Sequence, residues 1–228
     1  MKWLTRGGLV AACAVGAGVT WRLGWPGLAL LTVFLLSGSV LTQFAEHRSP
    51  SRTARQVLAN GGVALIAALL GSWAAAAGAI AAAAADTWAT EIGAFSPFPP
   101  RLTTSGRRVT RGTSGGITAL GTLGGVAGAA LIAGLTRALS PRGVPPAFAT
   151  LAAAGVAGML ADSVLGATLQ GKYECPACDA RFERRNTVCH EPVQLTRGWQ
   201  WLDNDGVNFA ATLVGAVAAA LGSYLPPP

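Results

Sequence analysis

Three of the ten carboxylates in the sequence, Asp86, Glu91 and Asp162, fall inside long apolar runs. A carboxylate in a membrane helix costs roughly 2.5–3.5 kcal/mol on insertion scales, so each needs a cation, a partner or a water-filled cavity. Asp86 shares a helix face with Thr90, and Thr87 shares one with Glu91, but Asp86 and Glu91 point about 140° apart. Both can reach one ion only if the helix is distorted or Glu91 approaches from the rim. Carboxylates gathered on a divalent cation supply half of what Mg-dependent phosphoryl transfer requires, since positioning and charge neutralisation dominate that chemistry. The plainer alternative is that the acids pair with arginines or hydroxyls and fix helix packing.

The other half would be a phosphate cradle. Residues 96–118, SPFPPRLTTSGRRVTRGTSGGIT, carry four arginines and many Ser, Thr and Gly, with no acid. The stretch closes on Arg107, Arg108, Arg111, Gly112, Thr113, Ser114, Gly115 and Gly116, just where an apolar run begins. A helix start offers unpaired N–H groups and a positive dipole end, and glycines let phosphate oxygens approach. There is no GK[ST], so this is not a Walker A loop. A loop whose arginines meet lipid headgroups is the competing reading, and both stand.

Further polar residues recur near the same boundary. Arg52, Gln56 and Asn60 are spaced by four and form one stripe, which either lines a cavity mouth or dips into headgroups. Asp162, Gly166 and Gln170 share a face, with Lys172 just beyond as a further phosphate contact. In WLDNDGVNF, Asp203 or Asn204 can cap a helix, whereas Asp205 and Asn208 can point inward. Asp86 and Asp162, joined by Asp205, are the candidate Mg ligands.

Residues 175–190, CPACDARFERRNTVCH, place Cys175 and Cys178 at metal-ligand spacing, and Cys189 with His190 could complete a tetrahedral zinc set. Against this, adjacent Cys and His are awkward ligands for one ion and no second CxxC follows. Cys13 reads as an inert core thiol, and His47 as a solvated loop residue.

These residues must be positioned by membrane helices. Half of the 228 residues are hydrophobic and only 12% are charged, where soluble domains average about 25%; mean hydropathy is +0.45. The net charge of +7 comes from residues scattered in loops without aromatic interleaving, a pattern suited to anionic headgroups or phosphorylated ligands and not to nucleic acid. Apolar stretches at about 7–21, 24–45, 54–71, 73–95, 113–139, 146–170 and 205–225 predict seven spans. The first is short enough for a signal peptide, but no clear A-x-A cleavage site precedes Trp21 and more spans follow immediately, so it is read as an uncleaved helix. With seven spans, every Lys and Arg except Arg22, Arg137 and Arg142 lies on the side of the amino terminus; Lys2, Arg48, Arg184 and Arg185 are among them. The positive-inside rule makes that side cytoplasmic. Asp86 and Asp162 then lie about 12–14 Å deep, at matching levels. Gly121 with Gly125, and Gly124 with Gly128, have the small-xxx-small spacing of closely packed helices. The expectation is a single integral membrane domain over 1–228, an all-α polytopic bundle of about seven transmembrane helices with a cytoplasmic amino terminus, and a cytoplasmic loop over 171–204.

The motifs ARQVLANGG, ADTWATEIG, TSGRRVTRGTSGGIT, ADSVLGATLQ and RGWQWLDNDGVNF, in this order, resemble the integral-membrane family that includes the plant phytyl-phosphate kinase of tocopherol synthesis and many bacterial and archaeal proteins. The resemblance covers residues 52–210 and extends more distantly to CTP-dependent phytol and dolichol kinases and CDP-diacylglycerol synthase. It implies transfer of a phosphoryl group from a nucleoside triphosphate, CTP first, to an isoprenyl monophosphate of phytyl or geranylgeranyl type. By motif, Asp86, Glu91, Asp162 and Asp205 would fall in the polar core, and they are the candidate catalytic residues; the carboxylates suggest Mg as cofactor, and the Cys/His spacing suggests structural zinc. The expected setting is a bacterial inner membrane, with the site facing the cytoplasm by the charge distribution. A homodimer is compatible with this reading. Two alternatives remain: a prenyl alcohol kinase or CDP-lipid synthase, and a transporter or flippase for an anionic lipid.

Overall fold

A computed structural model describes residues 3–44, 51–140, 147–178, 180–183 and 189–223. Lys2, His47, Arg48, Arg142, Arg184 and Arg185 lie outside them.

The first helix, α1 (Arg6–Phe44), contains a break at Gly24, whose φ of +69° a side chain would resist. Pro26 follows, unable to donate its own helical N–H. There α1 doubles back. A Cβ on Gly16 would lie 3.6 Å from Leu28, and one on Gly27 would lie 2.7 Å from Val19, which no straight helix permits. Both limbs therefore end beside Arg52: Thr5 N donates to its carbonyl at 3.1 Å, and Gly38 sits against its guanidinium.

Helix α2 (Ala54–Leu69) starts at a capping box in which Gln56 N donates to the Thr53 hydroxyl and Thr53 N donates to the Gln56 carboxamide. Helix α3 (Trp73–Gly93) is the hub, with Ala74 to Ala85 all buried. Its alanines keep its surface shallow, so neighbours approach backbone to backbone. Helix α4 (Ala119–Leu139) lays Gly121, Gly124, Gly125 and Gly128 over the α3 carbonyls of Ala89, Trp88, Ala85 and Ala84. Helix α5 (Phe148–Thr168) sets Gly155 on Ala81, and α6 (Asn204–Gly222) sets Gly215 on Gly78. Asp203 caps α6 by accepting from Gly206 N.

Two expectations are corrected. The described residues form six helices, not about seven, because the two stretches expected between 7 and 45 form one doubled element. Four of the six, α1, α4, α5 and α6, are long and apolar enough to cross a membrane. At 16 residues α2 is short, and the acids and threonines near the end of α3 dilute its apolar run. Nor is the chain purely α. Strands β1 (Arg101–Leu102) and β2 (Gly116–Ile117) pair antiparallel, and β3 (Lys172–Glu174) is flanked by β4 (Arg181–Phe182) and β5 (Gln194–Arg197). Both sheets sit at the end of the bundle where α3 and α5 finish and α2, α4 and α6 begin. Arg22 and Arg137 are at the other end.

Candidate functional site

At the strand-bearing end lies a polar cavity of about 740 Å³. Its floor is Asp86 of α3 and Asp162 of α5, brought within electrostatic reach of one another. Glu183, entering from the loop after β4, bears on Asp162 as well. Asp162 Oδ2 is buried without a hydrogen-bond partner. Such an orphaned carboxylate oxygen beside a second carboxylate fits a bound cation.

Glu91 lines the same cavity from another flank. Thr42, in the last turn of α1, donates to its Oε1 at 2.6 Å. Arg52 stands beside it; burial pulls the guanidinium down from its ordinary value and Glu91 opposes that shift. The expected 140° divergence is thus accommodated by a cavity that wraps α3, with Asp86 turned to α5 and Glu91 to α1. Gln56, Asn60 and Asn208 also line it.

Gly112, Thr113, Ser114 and Gly115 form the opposing wall. Gly115 has φ +80°, and a Cβ there would lie about 2.5 Å from Ala167 of α5, so only glycine seats this loop. Gly116 has joined β2. The Ser114 N–H already meets an anion, donating to Glu183 Oε1 at 3.0 Å, while Gln170 Nε2 donates to Oε2 at 3.3 Å. Lys172 Nζ donates to the Ser114 carbonyl at 3.3 Å. Burial pulls the Lys172 ammonium down from its usual value, with Glu183 opposing and Arg197 adding to the fall.

Several expected contacts are not made. Arg111 donates to the carbonyls of Ala94 and Ser96, clamping the loop to the end of α3. Arg107 and Arg108 belong to the β1–β2 excursion, where Arg107 O accepts from Leu102 N and Arg108 bridges Arg101; neither lines the cavity. Asp205 is paired with Arg55 Nε at 3.3 Å, alongside the 2.7 Å Arg55–Asp203 ion pair, and is held off the cavity wall. Sequence reasoning omitted Glu183, Thr42 and Trp3, which do line it. Thr42 and Trp3 carry no local signal, because only the reversal at Gly24 brings both ends of α1 to one wall.

A second cavity, of about 770 Å³, runs between the limbs of α1 and α2. It is apolar, lined by residues such as Leu9, Val15, Leu28 and Phe34, and it shares Arg52, Gln56, Asn60 and Thr87 with the polar one. Apart from both, Cys175, Cys178, Cys189 and His190 converge, their ligand atoms all within 4.8 Å of one another. Backbone hydrogen bonding at Glu191 draws the Cys175 thiol down to about 6, while contact with Cys178 pushes Cys189 up.

Comparison with known proteins agrees with this membrane architecture. A family model described as integral membrane protein DUF92 matches residues 1–216. Protein PGR of Arabidopsis thaliana is 33% identical, over 86% of this chain and 81% of its own length. An uncharacterized membrane protein of Methanocaldococcus jannaschii is 31% identical, over 96% of this chain and 86% of its own. No solved structure matches.

Proposed function

The chain belongs to the DUF92 family of integral membrane proteins, and we propose that within it this protein is a Mg-dependent kinase that passes a phosphoryl group from a nucleoside triphosphate, CTP first, to an isoprenyl monophosphate. The observation that carries the reading is that two cavities share lining residues. An acidic, glycine-walled cavity suited to phosphates shares Arg52, Gln56, Asn60 and Thr87 with an apolar groove suited to a lipid tail. A substrate with a phosphate head and a long hydrocarbon tail matches both at once.

Charge decides how phosphates could enter. Among the described residues, the polar cavity is lined by four carboxylates, Asp86, Glu91, Asp162 and Glu183, against one guanidinium, Arg52. A bare polyphosphate would be repelled from such a lining, so phosphate binding and cation binding must be linked. A magnesium ion held by Asp86 and Asp162 would neutralise phosphate oxygens there. The backbone N–H groups of Ser114 and Gly115 orient those oxygens, Arg52 holds the lipid phosphate beside the residues the two cavities share, and Glu183 must yield the Ser114 N–H as phosphate arrives.

The reaction needs no strong base. A phosphate monoester is largely dianionic at neutral pH, its second pKa being about 6. An oxygen of the lipid phosphate attacks the γ-phosphorus, the bond from that phosphorus to the β–γ bridging oxygen breaks, and the nucleoside diphosphate leaves. Among the described residues, none of those lining the cavity is a histidine. The site would face the cytoplasm of a bacterial inner membrane, with the basic end inside.

Purified protein given phytyl or geranylgeranyl monophosphate, Mg and γ-labelled CTP should yield labelled prenyl diphosphate. Absence of diphosphate with every one of the common nucleotides would overturn the proposal. Incorporation of α-label into lipid would reassign it as a CDP-lipid synthase, and nucleotide-independent lipid flux in vesicles as a transporter.

A further inference from the structure

The kinase reading makes no use of the cysteine cluster. Strand β3 runs into Cys175, which is buried, and a turn brings Cys178 N to the Cys175 carbonyl at 3.4 Å. Cys189 and His190 return from the far side. Cys178 Sγ lies 3.5 Å from Cys189 Sγ, and Cys189 Sγ lies 3.3 Å from His190 Nδ1. Zinc bonds of about 2.3 Å to sulfur and 2.0–2.1 Å to nitrogen give tetrahedral edges of about 3.8 Å between sulfurs and about 3.5 Å from sulfur to nitrogen; these two contacts are close to that scale, and all four ligand atoms lie within 4.8 Å of one another. A disulfide would require about 2.05 Å. The awkwardness of adjacent Cys and His is relieved because His190 presents Nδ1, the ring nitrogen nearer its backbone.

The sheet next to the cluster is small. Strand β4 has two residues, β3 three and β5 four, all shorter than the usual strand of about five or six residues, so their ladder hydrogen bonds are few. Yet Glu183, directly after β4, and Lys172, at the start of β3, both make defined contacts with Ser114. We infer that Cys175, Cys178, Cys189 and His190 bind one zinc ion, and that this ion fixes the β3–β5 sheet so that Glu183 and Lys172 are held against Ser114 at the cavity wall.

Zinc binding does not depend on the kinase reading, and its test uses no substrate. Full-length protein purified in detergent with a thiol reductant should carry stoichiometric zinc by elemental mass spectrometry. Cys178→Ser and Cys189→Ser should lose the metal, and Cys13→Ser should keep it. If the serine variants fail to fold, a chelator applied to the unaltered protein makes the same test. Stripping zinc should speed hydrogen exchange at residues 172–183 and leave α3 protected. Metal-free protein with a Cys178–Cys189 disulfide, zinc retained in both serine variants, or unchanged exchange at residues 172–183 after stripping would each overturn the inference.

Discussion

At the residue scale, Asp86 and Asp162 differ from Asp205 in what surrounds them, and substitution should separate them. Asp86→Asn or Asp162→Asn removes charge from the cation site and should lower Mg-dependent turnover by roughly a hundredfold or more; titration of activity against Mg checks it. Asp205→Asn should leave turnover close to normal and cost at most about 1 kcal/mol in thermal unfolding, because its partner Arg55 is well exposed. The first pair was legible in the sequence, since a charge inside an apolar run must be compensated. Asp205 was not separable from them, because its capture by Arg55 of another helix leaves no trace in local spacing. Arg111 shows the same limit. A guanidinium near a glycine loop reads as a phosphate ligand, yet it is satisfied by the carbonyls of Ala94 and Ser96.

At the element scale, the seam between α3 and α4 is built on absent side chains. Gly125 approaches the Ala85 carbonyl so closely that a Cβ would sit at 2.9 Å, with Met159 Sδ nearer still. Gly125→Leu should therefore destabilise the bundle by about 1–3 kcal/mol or more through overpacking, read as a lower midpoint in detergent unfolding. Since α3 and α4 flank the cavity, activity should fall with it. Thr53→Ala should cost α2 about 0.5–2 kcal/mol by removing its cap. The seam was legible because small residues four apart lie on one helix face. The reversal of α1 was not read as one continuous element, because a single left-handed residue, Gly24, turns the chain without a separate loop. Glu183 illustrates the converse. Its sequence neighbourhood is soluble in character, and only the fold around Cys175 and Cys178 returns it to the acids of the cavity.

At the scale of the molecule, charge and topology agree. The described Lys and Arg gather at the end that holds the cavity, leaving Arg22 and Arg137 at the other. A protease site inserted at Ser105 should be cut in inside-out vesicles and protected in right-side-out ones, and a site at Leu70 should show the reverse; the opposite pattern would refute a cytoplasmic cavity. The apolar groove makes a separate claim. Ala12→Trp, placed in its wall, should raise the KM for prenyl phosphate and leave that for nucleotide unchanged. Membership of a membrane family was legible from motif order, but the groove was not, because it exists only between two limbs that the chain itself folds together.

That pairing of limbs has a kinetic corollary. Leu9, Trp21 and Leu28, all on the groove wall, are 56%, 78% and 41% exposed, so the space between the limbs is a slot open along its side and not a tunnel. A chain molecule can slip into such a slot broadside from the surrounding bilayer without being threaded end first, and the rate at which it loads should then be nearly indifferent to how many isoprene units it carries.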